Sequence, residues 1–167
     1  MTSTADTAHL PALREPHARD ETGRELQATL VDLVDLSLVG KQLHWTIVGP
    51  HFRTLHLRLD DLVDSWRDLA DKVAERAVAL GFAPDGQAEA IVAAGDRAPL
   101  EAGPIDDVAV LRELVRRLAD TAERARARLE RLGELDLVSQ DLMIGVVGEL
   151  EEQLWMSRAE LPEHRAG

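Results

Sequence analysis

The sequence predicts an all-α fold: a four-helix bundle with one long crossover that itself holds a short helix. Three observations predict it. The 167-residue chain is 45 % hydrophobic but only 3 % aromatic with no Tyr, and its wealth of Ala, Leu, Arg and Glu favours helix over sheet. Four long stretches repeat apolar residues at three- and four-residue steps. Gly and Pro punctuate the gaps between them, and only the middle gap is long.

Residues 1–22 mix Pro, Thr and both charges without a helical period, and read as a mobile N-terminal arm. The first helix is expected from Gly23 to Val48, with Leu26, Leu30, Leu33, Val34 and Leu38 on its apolar stripe. Gly49-Pro50 stops it. The second, His51 to Leu80, carries the clearest seam: Phe52, Leu55, Leu59, Leu62, Trp66, Leu69, Val73, Ala77 and Leu80. Gly81 is its C-terminal cap. Pro84, Gly86, Gly95, Pro99, Gly103 and Pro104 mark Gly81 to Pro104 as a connection, with a short helix over Gln87 to Ala94. So long a connection suits a crossover between parallel neighbours. The third helix, Ile105 to Leu132, aligns Leu111, Val115, Leu118, Ala122, Ala125, Leu129 and Leu132, and Gly133 is expected to break it. The fourth, Asp136 to Ala159, carries Val138, Leu142, Val146, Leu150 and Leu154 and ends near Pro162. The bundle thus occupies 23–162, with 163–167 as a short tail.

One domain of this length buries roughly 70 % of its unfolded-chain surface. The absence of Cys excludes disulfides and thiolate metal sites. The first twenty residues hold no apolar core of signal-peptide length, and no stretch approaches a membrane span, so a soluble cytoplasmic protein is expected. The formal net charge is −12, with Lys41 and Lys72 the two lysines. Such a surface disfavours phosphate backbones; attraction of cations is one use of the charge, and solubility alone is the plainer one.

Five metal-capable side chains stand out: His44, His56, Asp60, Asp71 and Glu75. His56 and Asp60 are four residues apart, as are Asp71 and Glu75, so each couple shares a helix face. Asp60 and Asp71 are eleven apart, close to three turns, which puts both couples on roughly one side. His56 and Glu75 nevertheless lie ~28 Å apart along the axis, whereas metal–ligand bonds are only about 2 Å. One helix cannot close that site. A second copy running antiparallel across a two-fold axis, crossing near Ser65 and Trp66, brings each couple to the other. Imidazole with carboxylate suits Fe, Zn or Mn and disfavours Cu(I). No Glu-x-x-His, His-Glu-x-x-His, Gly-x-Ser-x-Gly, P-loop or dinucleotide motif is present.

The segment from Gly40 to Gly86, GKQLHWTIVGPHFRTLHLRLDDLVDSWRDLADKVAERAVALGFAPDG, resembles the signature of the Dps proteins, small ferritin-like stress-protection cages. The ligand spacings of twelve, four, eleven and four, the His-Trp pair and Glu-Arg-x-x-x-Leu-Gly carry the resemblance. It spans about residues 24–160, and QDLMIGVVGELEEQLWM is also similar. The resemblance implies a ferritin-like bundle assembling through two-fold dimers into a dodecameric shell. It implies a ferroxidase centre with His44, His56 and Asp60 from one chain and Asp71 and Glu75 from its mate. Fe(II) is the expected substrate, hydrogen peroxide the preferred oxidant with oxygen slower, and Fe(III) the stored product, with Zn(II) able to substitute at the site. The outcome would be protection of DNA from oxidative damage.

Trp45 adjoins His44 and Trp66 sits near the inferred two-fold crossing, which makes Trp45 a candidate electron donor and Trp66 a weaker one, with helix packing the alternative role of both. The resemblance also makes Glu134, Asp136 and Asp141 candidates for an acidic iron-uptake pore at the start of the last helix. Capping explains Asp136 equally well. The alternative function is nucleoid compaction by direct DNA binding. Against it, Arg14, Arg19 and Arg24 are offset by Asp6, Glu15, Asp20 and Glu21, and Arg158 and Arg165 by Glu160 and Glu163. DNA binding is therefore expected to be weak or absent.

Overall fold

The computed structural model describes residues 16–94, 99–100 and 102–164. Four long helices dominate: α1 (Pro16–Thr46), α2 (Phe52–Ala79), α4 (Asp107–Leu135) and α5 (Leu137–Glu160). A short α3 (Ala88–Ala93) lies in the crossover, and a single 3-10 turn, Pro162–His164, follows α5. α1 packs on α2, α4 packs on α5, and α1 also meets α4.

A pair of two-residue strands, not foreseen from sequence, fixes the topology. β1 (Ile47–Val48) pairs in parallel with β2 (Ile105–Asp106), Ile47 opposite Ile105. β1 immediately precedes α2 and β2 immediately precedes α4, so those helices start at the same end and run parallel. The crossover must therefore return along the whole of α2, ~42 Å for 28 residues. It is pinned on the way. Gln27 and Asp85 exchange two hydrogen bonds, Gln27 Nε2 to the Asp85 carbonyl at 2.6 Å and Asp85 N–H to Gln27 Oε1 at 2.8 Å.

α1 begins at Pro16, seven residues before the expected start, so the upper part of the expected arm is helix. Residues 1–15 of that arm, and 165–167 of the expected tail, lie outside the described residues. Gly81 caps α2 as expected: it takes φ +78°, and Phe82 N–H reaches back to the Ala77 carbonyl at 2.9 Å.

Gly133 does not break α4, which continues to Leu135. The stop comes from Asp136, whose extended backbone (φ −155°) ends α4 and caps α5. Leu38 and Val138, placed on the core stripes by periodicity, are 54 % and 57 % exposed. Leu36, Leu43, Met143 and Val147 fill the core instead. The remaining expected positions hold: Leu26, Leu30 and Leu33 of α1 and Val146, Leu150 and Leu154 of α5 are in the core, with Val34 and Leu142 packed against it.

The α1–α4 contact is ionic at its centre. Buried Asp32 accepts from Arg124 Nε at 3.0 Å and Arg128 Nη1 at 2.6 Å. Two guanidinium partners compensate the desolvation of that carboxylate.

Candidate metal centre

α1 and α2 pack closely at Gly40, where a Cβ would sit 2.6 Å from Trp66 Cζ3 and 2.7 Å from Val63 Cγ2. That close approach brings the last turn of α1 against the first turns of α2. Three of the five sequence-identified residues meet there. The rings of His44 and His56 stack with centroids 3.6 Å apart and planes at 22°. His44 Nδ1 donates to the His56 carbonyl at 2.8 Å, and His56 Nδ1 donates to the His44 carbonyl at 3.0 Å. A carbonyl oxygen can only accept, so Nδ1 is the donor in each contact and Nε2 is the ring nitrogen left for a metal. Backbone acceptors behind imidazoles fix metal-binding histidines in this way. Asp60 Oδ1 lies 3.4 Å from His44 Nδ1. Phe52 covers the open side of His56 at 4.9 Å between centroids.

Lys41, which sequence reasoning missed, completes the cluster. Its Nζ donates to Asp60 Oδ1 at 2.5 Å and lies 5.9 Å from the centre of the Trp45 ring. The Lys41 hydrogen bond outweighs partial burial and, with the His44, Lys41 and His56 charges, holds the Asp60 carboxyl below its ordinary value. Asp60 is thus an anion at neutral pH. One signal for Lys41 was available: it precedes His44 by three residues, one helical turn on the same face.

Asp71 and Glu75 are exposed farther along α2, and the structure gives neither a hydrogen bond nor an ion pair to a described residue. Among the described residues of one chain, no three His, Asp or Glu side chains are grouped to hold a metal. Trp45 is 69 % exposed beside His44, whereas Trp66 is fully buried in its own chain and donates to Gln153 Oε1 at 2.7 Å. Trp66 therefore lies inside the bundle and is a packing residue; Ser65, half-buried beside it, is the one nearer the surface.

Of the three acidic residues at the start of the last helix, Glu134 and Asp141 are exposed. Asp136 is not available in the same way. Its carboxylate caps α5 at Ser139 N–H (3.0 Å) and Ser139 Oγ (2.5 Å), and receives Arg76 Nη2 at 2.6 Å. Burial pushes its pKa up, but the Ser139 and Arg76 hydrogen bonds outweigh that and hold it below the ordinary carboxylate value.

At the same end as the histidines, Asp107 fastens the α1–α2 turn to α4. It is 2 % exposed and accepts the His51 backbone N–H at 2.6 Å and His51 Nδ1 at 3.0 Å. The His51 backbone bond leads the causes that keep Asp107 ionised below its usual range. Gly49 has φ +131° there, and a Cβ would fall 2.7 Å from Asp107 Cγ, so glycine is doubly required.

Two antiparallel helical hairpins joined by one long crossover, with an imidazole–carboxylate cluster on the first hairpin, define a ferritin-like protein. The ferritin-like domain profile accordingly matches residues 24–165. A DNA protection during starvation protein of Mycolicibacterium smegmatis is 39 % identical over 160 residues, covering 91 % of this chain and 82 % of that one. The tetragonal form of Mycobacterium smegmatis Dps superposes with a TM-score of 0.86 at 36 % identity, over 95 % of this chain and 93 % of that one. DpsA14 from Streptomyces coelicolor also gives 0.86, at 37 % identity over 90 % and 89 %. The chain belongs to the Dps family.

Proposed function

We propose that this chain is a ferroxidase and iron store of the Dps type. Its substrate is Fe(II), its product an Fe(III) oxide held in a hollow dodecameric shell, and its effect the protection of DNA from oxidative damage. The observation that carries the reading is the meeting of His44, His56 and an ionised Asp60 where α1 and α2 join, with reciprocal hydrogen bonds through Nδ1 that leave each Nε2 for a metal. Asp71 and Glu75 of a two-fold mate complete each centre, because the ~28 Å spread along α2 prevents a single copy from doing so.

The donor set matches the task. Neutral imidazole and carboxylate bind Fe(II), and the carboxylate oxygens hold the harder Fe(III) more strongly still, which favours the oxidised state. Hydrogen peroxide takes one electron from each of two Fe(II) ions. Its O–O bond breaks, and two protons complete two waters, so no hydroxyl radical is released. Oxygen serves more slowly. Zn(II) takes the same donors without redox chemistry and acts as a competitor. Asp141, with Glu134, lines the iron-uptake pore, and Trp45 donates an electron to oxidising species that escape the paired reaction.

DNA protection on this reading is chemical. The net charge of −12 disfavours a phosphate-binding surface, so the alternative of nucleoid compaction has no cationic stripe to support it. Among the described residues no helix is long and apolar enough to cross a membrane. The proposed setting is the cytoplasm.

Complementation between inactive variants tests the shared centre. His44→Ala/His56→Ala and Asp71→Ala/Glu75→Ala chains should each fail to oxidise Fe(II) stoichiometrically with peroxide. Co-expressed, mixed dimers regain one intact centre of two, so about a quarter of wild-type activity should return. No recovery in mixed shells of normal size would refute the shared site.

A further inference from the structure

We propose that a cavity beside His51 binds a small, uncharged aromatic hydroxyl compound of the phenol class. The cavity measures about 230 Å³ and lies where the α1–α2 turn, the start of α4 and the end of α5 converge. Leu55, Val108, Leu111 and Pro162 supply its apolar wall, and His51, Thr54, Asp107 and Glu160 its polar edge.

The polar atoms decide the ligand. Asp107 is occupied by the backbone N–H and Nδ1 of His51, and Glu160 is paired with Arg58. With Nδ1–H donated to Asp107, the neutral ring keeps Nε2 as a hydrogen-bond acceptor at the edge of the cavity. One available imidazole, with both carboxylates already engaged, is a poor metal site. The two carboxylates repel anions. What remains is an apolar slot with one fixed acceptor and a threonine hydroxyl. A cavity of ~150 Å³ lined by aliphatic side chains suffices for benzene, so this one holds a ring and its hydroxyl. It is too small for the drug-sized ligands that fill ~300–1,000 Å³. The site is separate from the ferroxidase residues and does not depend on their assignment.

The probe is 4-fluorophenol, titrated into the full-length protein at about pH 8, below the phenol pKa of ~10, and followed by fluorine NMR. Saturable binding is expected with a Kd of about 1 mM, the range open to so small a ligand. His51→Leu should weaken it about tenfold by removing the acceptor. Because that change also loosens the His51–Asp107 clasp, Val108→Phe provides a second arm that fills the slot and leaves the clasp intact. It should weaken binding by a similar factor, with circular dichroism confirming the fold. Fluorobenzene should bind more weakly than the phenol, and 4-fluorobenzoate not at all. Unchanged affinity in Val108→Phe, equal binding of 4-fluorobenzoate, or no saturation by ~10 mM in the wild type would each overturn the proposal.

Discussion

Lys41 and Asp60 stand in a competition that shapes the site before any metal arrives. The ammonium lies 2.5 Å from Asp60 Oδ1, so on the proposed function a first Fe(II) displaces it or shares that carboxylate. Both side chains are partly exposed, and solvent screening keeps the effect modest. Lys41→Gln should therefore tighten anaerobic Co(II) or Fe(II) binding by about threefold, read by isothermal titration. Weaker binding in the variant would mean that Lys41 positions Asp60 and does not compete for it. Trp45 invites a different test. Exposed, and touched by Lys41 through its ring, it contributes little to the core, so Trp45→Phe should leave the melting temperature within about 2 °C. Under peroxide and Fe(II) it should raise the yield of spin-trapped radical if Trp45 donates electrons. Equal radical yields would dismiss that role. Four of the five proposed ligands, His56, Asp60, Asp71 and Glu75, could be grouped from the sequence because helical spacing fixes which side of α2 they share, while His44 lies on α1. The Lys41–Asp60 contact was not, since it depends on the register between α1 and α2, which no periodicity within either helix encodes.

Asp136 shows how one helix boundary can be misread for two reasons at once. Gly133 resembled a stop, yet it is helical, and a carboxylate three residues later both ends α4 and starts α5. The acidic run also invited a pore assignment for a residue whose oxygens face Ser139 and Arg76. Local propensity located the break to within a few residues but could not reveal Arg76, sixty residues away in sequence. Asp136→Asn separates charge from capping, because Asn is also a good N-cap. The variant loses the ion pair to Arg76, in a half-enclosed setting, and should be less stable than wild type by about 1 kcal/mol at pH 7. The sign with pH follows from the lowered folded-state pKa. The ionised Asp136 stabilises fully above its unfolded value of ~3.9, and that contribution is lost as pH falls through the folded value. Urea midpoints of the two proteins should differ at pH 7 and converge below about pH 4. A constant gap down to acid pH would show that the carboxylate's charge is not what matters.

At the scale of the whole molecule, the sequence announced a bundle and a crossover but not the device that closes it. The Ile47–Ile105 strand pairing sets α2 and α4 parallel, and two-residue strands carry no pattern long enough to detect. The charge balance was fully legible, and it carries the broadest consequence. On the proposed function, a net charge of −12 draws Fe(II) toward a surface on which Asp141 and Glu134 remain exposed. Such steering weakens as the screening length falls from ~30 Å at 0.01 M salt to ~8 Å at 0.15 M. The initial rate of Fe(II) oxidation at limiting iron should consequently drop several-fold over that range, measured optically by stopped flow with peroxide. Asp141→Asn should lower the rate at low salt and flatten its dependence on salt, leaving the yield at saturating iron unchanged. The same charge predicts no plasmid retardation in a gel shift at about 0.15 M salt. A rate indifferent to salt, in shells of normal size, would mean that iron reaches the centre without electrostatic guidance. Retardation of DNA at that salt would instead reveal a basic surface that the net charge conceals.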